Sequence, residues 1–492
     1  MKTISHNARA GESKSALRWW ALVVLALAQF LVVLDASIVN IALPTLGTEL
    51  QMNTTALSWV ITAYVLPFGG LLLLGGRLAD RYGHRNIFIA GVAGFVITSA
   101  AAGLAASGTW LLAARAIQGV SAALLAPAAL ALVTKLFTEP QDRAKALGIW
   151  GAVAGIGSAA GVLLGGVLTS SFGWPAVFFV NVPVGLLVIA AIPALVGKDS
   201  PGESKPIDLP GAITVTGGIV ALVAALSEAE HGGWTSPVVL SLTVAAIVLL
   251  AAFVMIEKRS KDPLVPFSIF RNKSVLGGNL ALLLIGGAVT GLFFALSVYM
   301  QQVLHYNAMT AGLTQLPLAG ALVVIAGIVP GFIKSIGTRW TLAVSLGLFA
   351  IGLIWLSMAP SDAAFVADLL GPTIVIGVGL GGAFVAGTEL AVHGVDDRDA
   401  GLASGLVNTS QQVGGAVGIA ILATLAATRT DGLLSDGKES LQALTGGFSW
   451  VFLGAAIFAV AGALIVIAVV RPSVSNKVID QPITKKERVN PQ

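Results

Sequence analysis

Two charged side chains stand where hydrocarbon would be expected. Asp35 lies in VVLDASIVNIALP, flanked by apolar residues for more than a turn on either side. A carboxylate in such a run costs roughly 3 kcal/mol to insert and usually faces a water-filled interior. Two readings stay open: an acid paired or neutralised to stabilise a helix bundle, or a carboxyl whose desolvated surroundings let it load and release a proton. Counting from Arg18, Asp35 sits roughly 25 Å along a helix, in the outer half of a membrane. Arg115, in ARAIQGVSAALLAPAALALV, begins a run that enters from the outside near Trp110 and so reaches a similar depth. It can partner Asp35, compete with it for a proton, or snorkel to the outer headgroups.

A third cluster is the charged knot GRLADRYGHR, Gly76 to Arg85, between two long apolar runs. Gly76 and Gly83 permit close backbone approach and a tight turn, while Asp80, Arg81 and Arg85 can pair across neighbouring helix ends. The alternative is a solvated loop whose charges only fix topology. A fourth feature is the run GIWGAVAGIGSAAGVLLGGVL, with glycines at 148, 151, 155, 157, 161, 165 and 166. That density allows helices to approach closely.

The elements that carry these residues follow from composition. Of 492 residues, 56% are hydrophobic and 11% charged, and the mean hydropathy is +0.89. That is too little polar surface for a soluble globule, so the chain reads as an all-α polytopic membrane protein. The pI near 9.3 does not point to nucleic acid, because the basic residues sit in short loops between apolar spans. With no cysteine, disulfides and thiolate metal sites are excluded. The pattern Gly-x-x-x-x-Gly-Lys-Ser/Thr is absent, which argues against an ATP-driven pump.

Fourteen apolar runs of about 20 residues, the length that crosses a bilayer, extend from 19–46 to 446–470, with the seventh and eighth at 209–227 and 236–256. Of the 28 lysines and arginines, 25 lie in the termini and alternate loops, which places both termini in the cytoplasm. The opposite loops hold only Arg429 and Lys438. Pro330 to Arg339 (PGFIKSIGTR) echoes Gly76 to Arg85, with Gly337 and Arg339 standing where Gly83 and Arg85 do and Lys334 replacing the acid. The expected organisation is a six-helix bundle over 1–197, linkers with an inserted pair of helices over 198–273, a second six-helix bundle over 274–471, and a cytoplasmic tail over 472–492. KDSPGESKPIDLPG and the segment Glu257 to Lys273 read as the two linkers.

The knot at Gly76, Leu78, Ala79, Asp80, Arg81, Gly83 and Arg85 resembles the signature loop between helices 2 and 3 of the major facilitator superfamily, with His84 where that family usually has a permanent cation. Arg115, Gln118 and Gly119 resemble its fourth-helix motif. Gly155, Gly157, Gly161, Gly165 and Gly166 resemble the glycine motif of its antiporter branch, with Val162 in place of the usual proline. GWPAVFFVNVPVG, EHGGWTSP, DPLVPFSIFRNKS and AGLASGLVNTSQQVGGAVG extend the likeness to the fourteen-helix drug:proton antiporters.

That resemblance implies a monomer of the inner (plasma) membrane that exports lipophilic small molecules from the cytoplasm by alternating access. It would run on the proton gradient, with no cofactor, no metal and no enzyme chemistry. Asp35 and Arg115 would couple protons, and Gly76, Asp80, Arg81, Gly83 and Arg85 would form the cytoplasmic gate. Strongly cationic substrates go with an acid in helix 2 of that branch, and residues 58–64 hold none. Polar and aromatic residues expected at the substrate cavity are Gln29, Trp59, Tyr64, Gln118, Asn408, Gln411 and Gln412. Glu389 is expected either to take protons or cations there or to pair with Arg398. A proton symporter, a lipid or metabolite translocator, and a non-transporting membrane sensor are the alternative readings.

Overall fold

A chain surrounded by hydrocarbon must satisfy its backbone hydrogen bonds within itself, and apolar runs of this length do so as helices. The computed structural model describes residues 2–52, 54–197, 208–260, 262–306 and 308–471. The linker expected around 198–207 and the tail 472–492 lie outside the described residues. Among the described residues every regular element is helical.

The first six spans are α1 (Lys2–Glu49), α2 (Thr54–Tyr82), α3 (His84–Gly103), α4 (Gly108–Leu136), α5 (Pro140–Phe172) and the pair α6 (Ala176–Phe179) and α7 (Asn181–Leu195). An inserted hairpin follows, α8 (Leu209–Gly232) and α9 (Pro237–Arg259). The remainder comprises α10 (Lys273–Val298), the short α11 (Ala308–Leu313), α12 (Leu316–Ile336), α13 (Thr338–Leu356), α14 (Leu370–Ala391), α15 (Ala400–Ser435) and α16 (Ser440–Val469).

Thirteen of the helices are long and apolar enough, over their described residues, to cross a membrane. The fourteenth expected span falls on α5, whose 33 residues give about 50 Å at 1.5 Å per residue. Gly155 and Val162 of that helix lie outside the residues whose surroundings are described. Glu257, assigned to a linker on sequence, instead belongs to α9 and is buried.

α1 packs on α5 through the glycine face of α5. A Cβ on Gly161 would stand 2.5 Å from Ser37 Cβ, and one on Gly165 would stand 3.1 Å from the Ile38 carbonyl oxygen. The two loops that echo one another in sequence also turn alike. Gly83 has φ 92° and Gly337 has φ 82°, a left-handed conformation that costs glycine nothing. The inserted hairpin and the segment after it share an apolar cluster with α2 and α15, formed by Leu73, Val215, Phe253, Leu264 and Leu402 among others.

Candidate functional site

α4 starts where Ser107, in extended backbone, accepts the N–H of Trp110 at 3.3 Å and caps the helix. From that start α4 carries Arg115 and, three residues later, Gln118 on one face. Both are buried, with Arg115 1% and Asp35 0% exposed. Arg115 Nη1 donates to Asp35 Oδ2 and, at 2.8 Å, to Gln118 Oε1. Arg115 Nε donates to the Val60 carbonyl at 3.1 Å. Asp35 Oδ1 accepts from Gln118 Nε2 at 2.9 Å and from Asn181 Nδ2 at 3.0 Å. Gln118 Nε2 also reaches Ser99 Oγ at 2.8 Å. The guanidinium carbon lies 4.3 Å from the centroid of the Tyr64 ring.

Helices α1, α2, α3, α4 and α7 thus each contribute a group to one buried cluster. The Asp35 carboxyl group is held there by an arginine and two amides, and the arginine by that group, two other oxygens and an aromatic face. Two buried polar atoms near this pair lack a hydrogen-bond partner, Tyr64 Oη and Asn181 Oδ1. Ser99 and Asn181 were not anticipated. The available signal was a lone amide in the apolar run FFVNVPV, which the resemblance absorbed without assigning it a role.

The residues expected around a substrate separate into groups. Tyr64 and Gln118, 1% and 0% exposed, belong to the ion-pair cluster rather than to an open wall. Arg115 has more donors than Asp35 can accept and draws both side chains in. Trp59 is 39% exposed and stands outside the cluster. Gln29 keeps a buried Oε1 with no partner. Asn408 donates to the Ser404 carbonyl of its own helix at 2.9 Å. Gln412 faces α2 at Gly69, while the Gln411 carbonyl packs on Gly286 of α10. Glu389 does not meet Arg398. That arginine turns to Asp396 at 3.1 Å, two residues away, whose carboxyl the contact holds below its usual range. Glu389 instead lies 3.7 Å from Arg143 Nε of α5.

On the side that the charge distribution makes cytoplasmic, α2 meets α15. A Cβ on Gly76 would stand 2.3 Å from the Gly401 carbonyl oxygen, and a Cβ on Gly401 equally close to that of Gly76. Asp80 accepts the backbone N–H groups of Gly401 at 2.7 Å and Leu402 at 3.0 Å, so it caps α15. His84 Nε2 lies 3.0 Å from Asp80 Oδ1, and Lys135 Nζ 3.2 Å from His84 Nδ1. Arg81 lies against the Tyr82 ring at 5.3 Å, and Arg85 keeps a buried Nε with no partner.

Arg77, unassigned on sequence, joins three segments. Its Nη1 reaches Asp399 Oδ1 at 2.8 Å, its Nε donates to the Leu264 carbonyl at 2.5 Å, and its Nη2 donates to the Pro263 carbonyl at 3.2 Å. The same strand of backbone donates its Leu264 and Val265 N–H groups to Glu257 at 3.1 and 3.2 Å. The inserted hairpin is therefore tied to the α2–α15 junction.

The model of the Major Facilitator Superfamily matches residues 25–419. The chain is 41% identical to "Puromycin resistance protein pur8" of Streptomyces alboniger, over 92% of this chain and 90% of that protein. It is 40% identical to "Cephamycin export protein CmcT" of Amycolatopsis lactamdurans, over 92% of this chain and 93% of that one. Among solved structures, the human organic anion transporter MFSD10 (TETRAN) aligns with a TM-score of 0.62 at 16% identity, covering 90% of this chain and 99% of that chain, a likeness of fold.

Proposed function

Because the chain belongs to the Major Facilitator Superfamily, a family of transporters and not enzymes, we propose that this multi-pass plasma-membrane protein is a drug-efflux transporter that exchanges amphipathic small molecules for protons. The relatives named for puromycin resistance and cephamycin export support efflux of antibiotic-like compounds. The observation that carries the proton reading is the buried cluster of Asp35, Arg115, Gln118 and Asn181. A carboxylate is retained at 0% exposure where an apolar residue would be cheaper. In this reading a movement of α4 that withdraws the guanidinium removes the donor to Asp35 Oδ2 and leaves the carboxylate free to take a proton.

The cytoplasmic contacts supply the other half of an alternating-access cycle. Asp80 of α2 with Gly401 of α15, Arg77 of α2 with Asp399, and Arg143 of α5 with Glu389 of α14 each bridge the first six spans to the second half of the chain. Together they hold the inner side closed, and they must part for the inner side to open. No cofactor is needed, since one charge moving through 100 mV releases about 2.3 kcal/mol. That corresponds to an accumulation ratio of roughly fiftyfold. The test uses purified protein in liposomes with an imposed pH gradient. Puromycin should accumulate against its gradient only when protons run the opposite way, and accumulation indifferent to the sign of the gradient would refute antiport.

A further inference from the structure

The three donors around Asp35 are suited to its ionised form, and a proton carrier must also be stable when protonated. On taking a proton, one carboxylate oxygen becomes an O–H donor that needs an acceptor. Arg115 has none to offer, because a guanidinium only donates. Gln118 has one, but turning its amide to present Oε1 to Asp35 would break three bonds, from Arg115 Nη1 at 2.8 Å, to Asp35 Oδ1 at 2.9 Å and to Ser99 Oγ at 2.8 Å. Ser99 Oγ already receives Gln118 Nε2 at 2.8 Å and Asn181 Nδ2 at 3.4 Å. Asn181 differs from these. Its Nδ2 holds Asp35 Oδ1 at 3.0 Å, and its own Oδ1 is buried without a partner.

We propose that Asn181 is the positioning residue that serves both protonation states of Asp35, donating to the carboxylate through Nδ2 and, after rotation of its amide, accepting the carboxyl O–H through Oδ1. The inference rests on the reading of Asp35 as the proton carrier. The proton balance is simple. Asp35 Oδ1 gains the proton, the Asn181 Nδ2 bond to it is lost, and one O–H···Oδ1 bond forms in its place. No charge moves onto Asn181. The side chain can turn because its Oδ1 gives up no hydrogen bond and its Nδ2 gives up, besides Asp35, only the long contact to Ser99. Asn181 is the first residue of α7, with Val180 alone between it and the end of α6 at Phe179.

The experiment is pH-difference infrared spectroscopy on the purified full-length protein. The protonated Asp35 carbonyl band is identified as the one that Asp35→Asn removes. In Asn181→Val that band should move to higher frequency, as for a carboxyl that has lost its hydrogen-bond acceptor. In Asn181→Thr, whose hydroxyl can both donate and accept, it should stay near the wild-type position. The wild-type spectrum should also contain an amide carbonyl change that Asn181→Thr removes, a readout that stands even if Asn181→Val fails to fold. A band unmoved in Asn181→Val, or no Asn181 amide change in the wild type, overturns this inference alone. The absence of any band removed by Asp35→Asn overturns the proton-carrier reading and this inference with it.

Discussion

Asp80 caps a helix from the far half of the chain: its Oδ1 accepts the N–H of Gly401, 321 residues later and the second residue of α15, at 2.7 Å. The bond joins the cytoplasmic end of α2 to the start of α15, and the glycine pair Gly76 and Gly401 lets the two backbones come close enough to make it.

If this cap holds the inner side closed, Asp80→Ala, which removes both acceptor oxygens, weakens it by about 0.5–2 kcal/mol, the usual range for a lost helix cap. The ratio of inner-open to inner-closed molecules should then rise roughly 2- to 30-fold. Distances between spin labels on the cytoplasmic ends of α2 and α15 measure the ratio, and an unchanged distribution contradicts the assignment.

Arg77 should couple the inserted hairpin to that junction. In Arg77→Gln the carbonyls of Pro263 and Leu264 and the Asp399 carboxylate lose their shared donor. Backbone amides of Leu264 and Val265, and of Gly401 and Leu402, should exchange with deuterium faster together. Faster exchange at 264–265 alone means that the hairpin segment is tied to Arg77 without affecting the gate.

Asp35→Asn keeps an oxygen for Arg115 while removing the charge. The variant should fold, and in liposomes it should exchange substrate down a gradient but no longer concentrate it against one. Undiminished uphill transport rules Asp35 out as the carrier.

Arg115→Ala leaves Asp35 buried without its cation and should destabilise the fold by about 3–5 kcal/mol. The same substitution made on Asp35→Asn should cost less, because no buried charge is left behind. A double-mutant cycle of unfolding free energies checks this, and additivity within about 0.5 kcal/mol means that the two side chains do not act as a pair.

The glycines of α5 should not behave alike. A Cβ on Gly161 meets Ser37 Cβ at 2.5 Å, whereas one on Gly166 meets nothing within 4 Å. Gly161→Ala should destabilise by about 1–3 kcal/mol through overpacking. Gly166→Ala should be neutral or stabilising by up to about 1 kcal/mol, through helix propensity. Thermal unfolding of the two variants in detergent separates them, and a shared sign removes the argument from close packing.

Much of the helical order was legible in the chain, because a lipid environment leaves each long apolar run one way to satisfy its backbone. Asp35 and Arg115 were legible too, since a charge in an apolar run is costly wherever the run ends up, and their depths follow from helix rise alone. Composition and the loop Gly76 to Arg85 sufficed to suggest the family. What one-dimensional reading could not supply was the choice of partners. Arg115 and Asp35 are 80 positions apart, Asp80 and Gly401 321, and Arg77 and Leu264 187. Hydrogen bonds form at about 3 Å and depend on how each helix is rotated about its axis, which the packing of neighbouring helices decides. That rotation drew Gln118 and Tyr64 to the ion pair, brought Asn181 and Ser99 to it unannounced, and set Glu389 against Arg143 instead of Arg398. Sequence determined which groups could not be left alone in a membrane, and only the tertiary structure decided which of them meet.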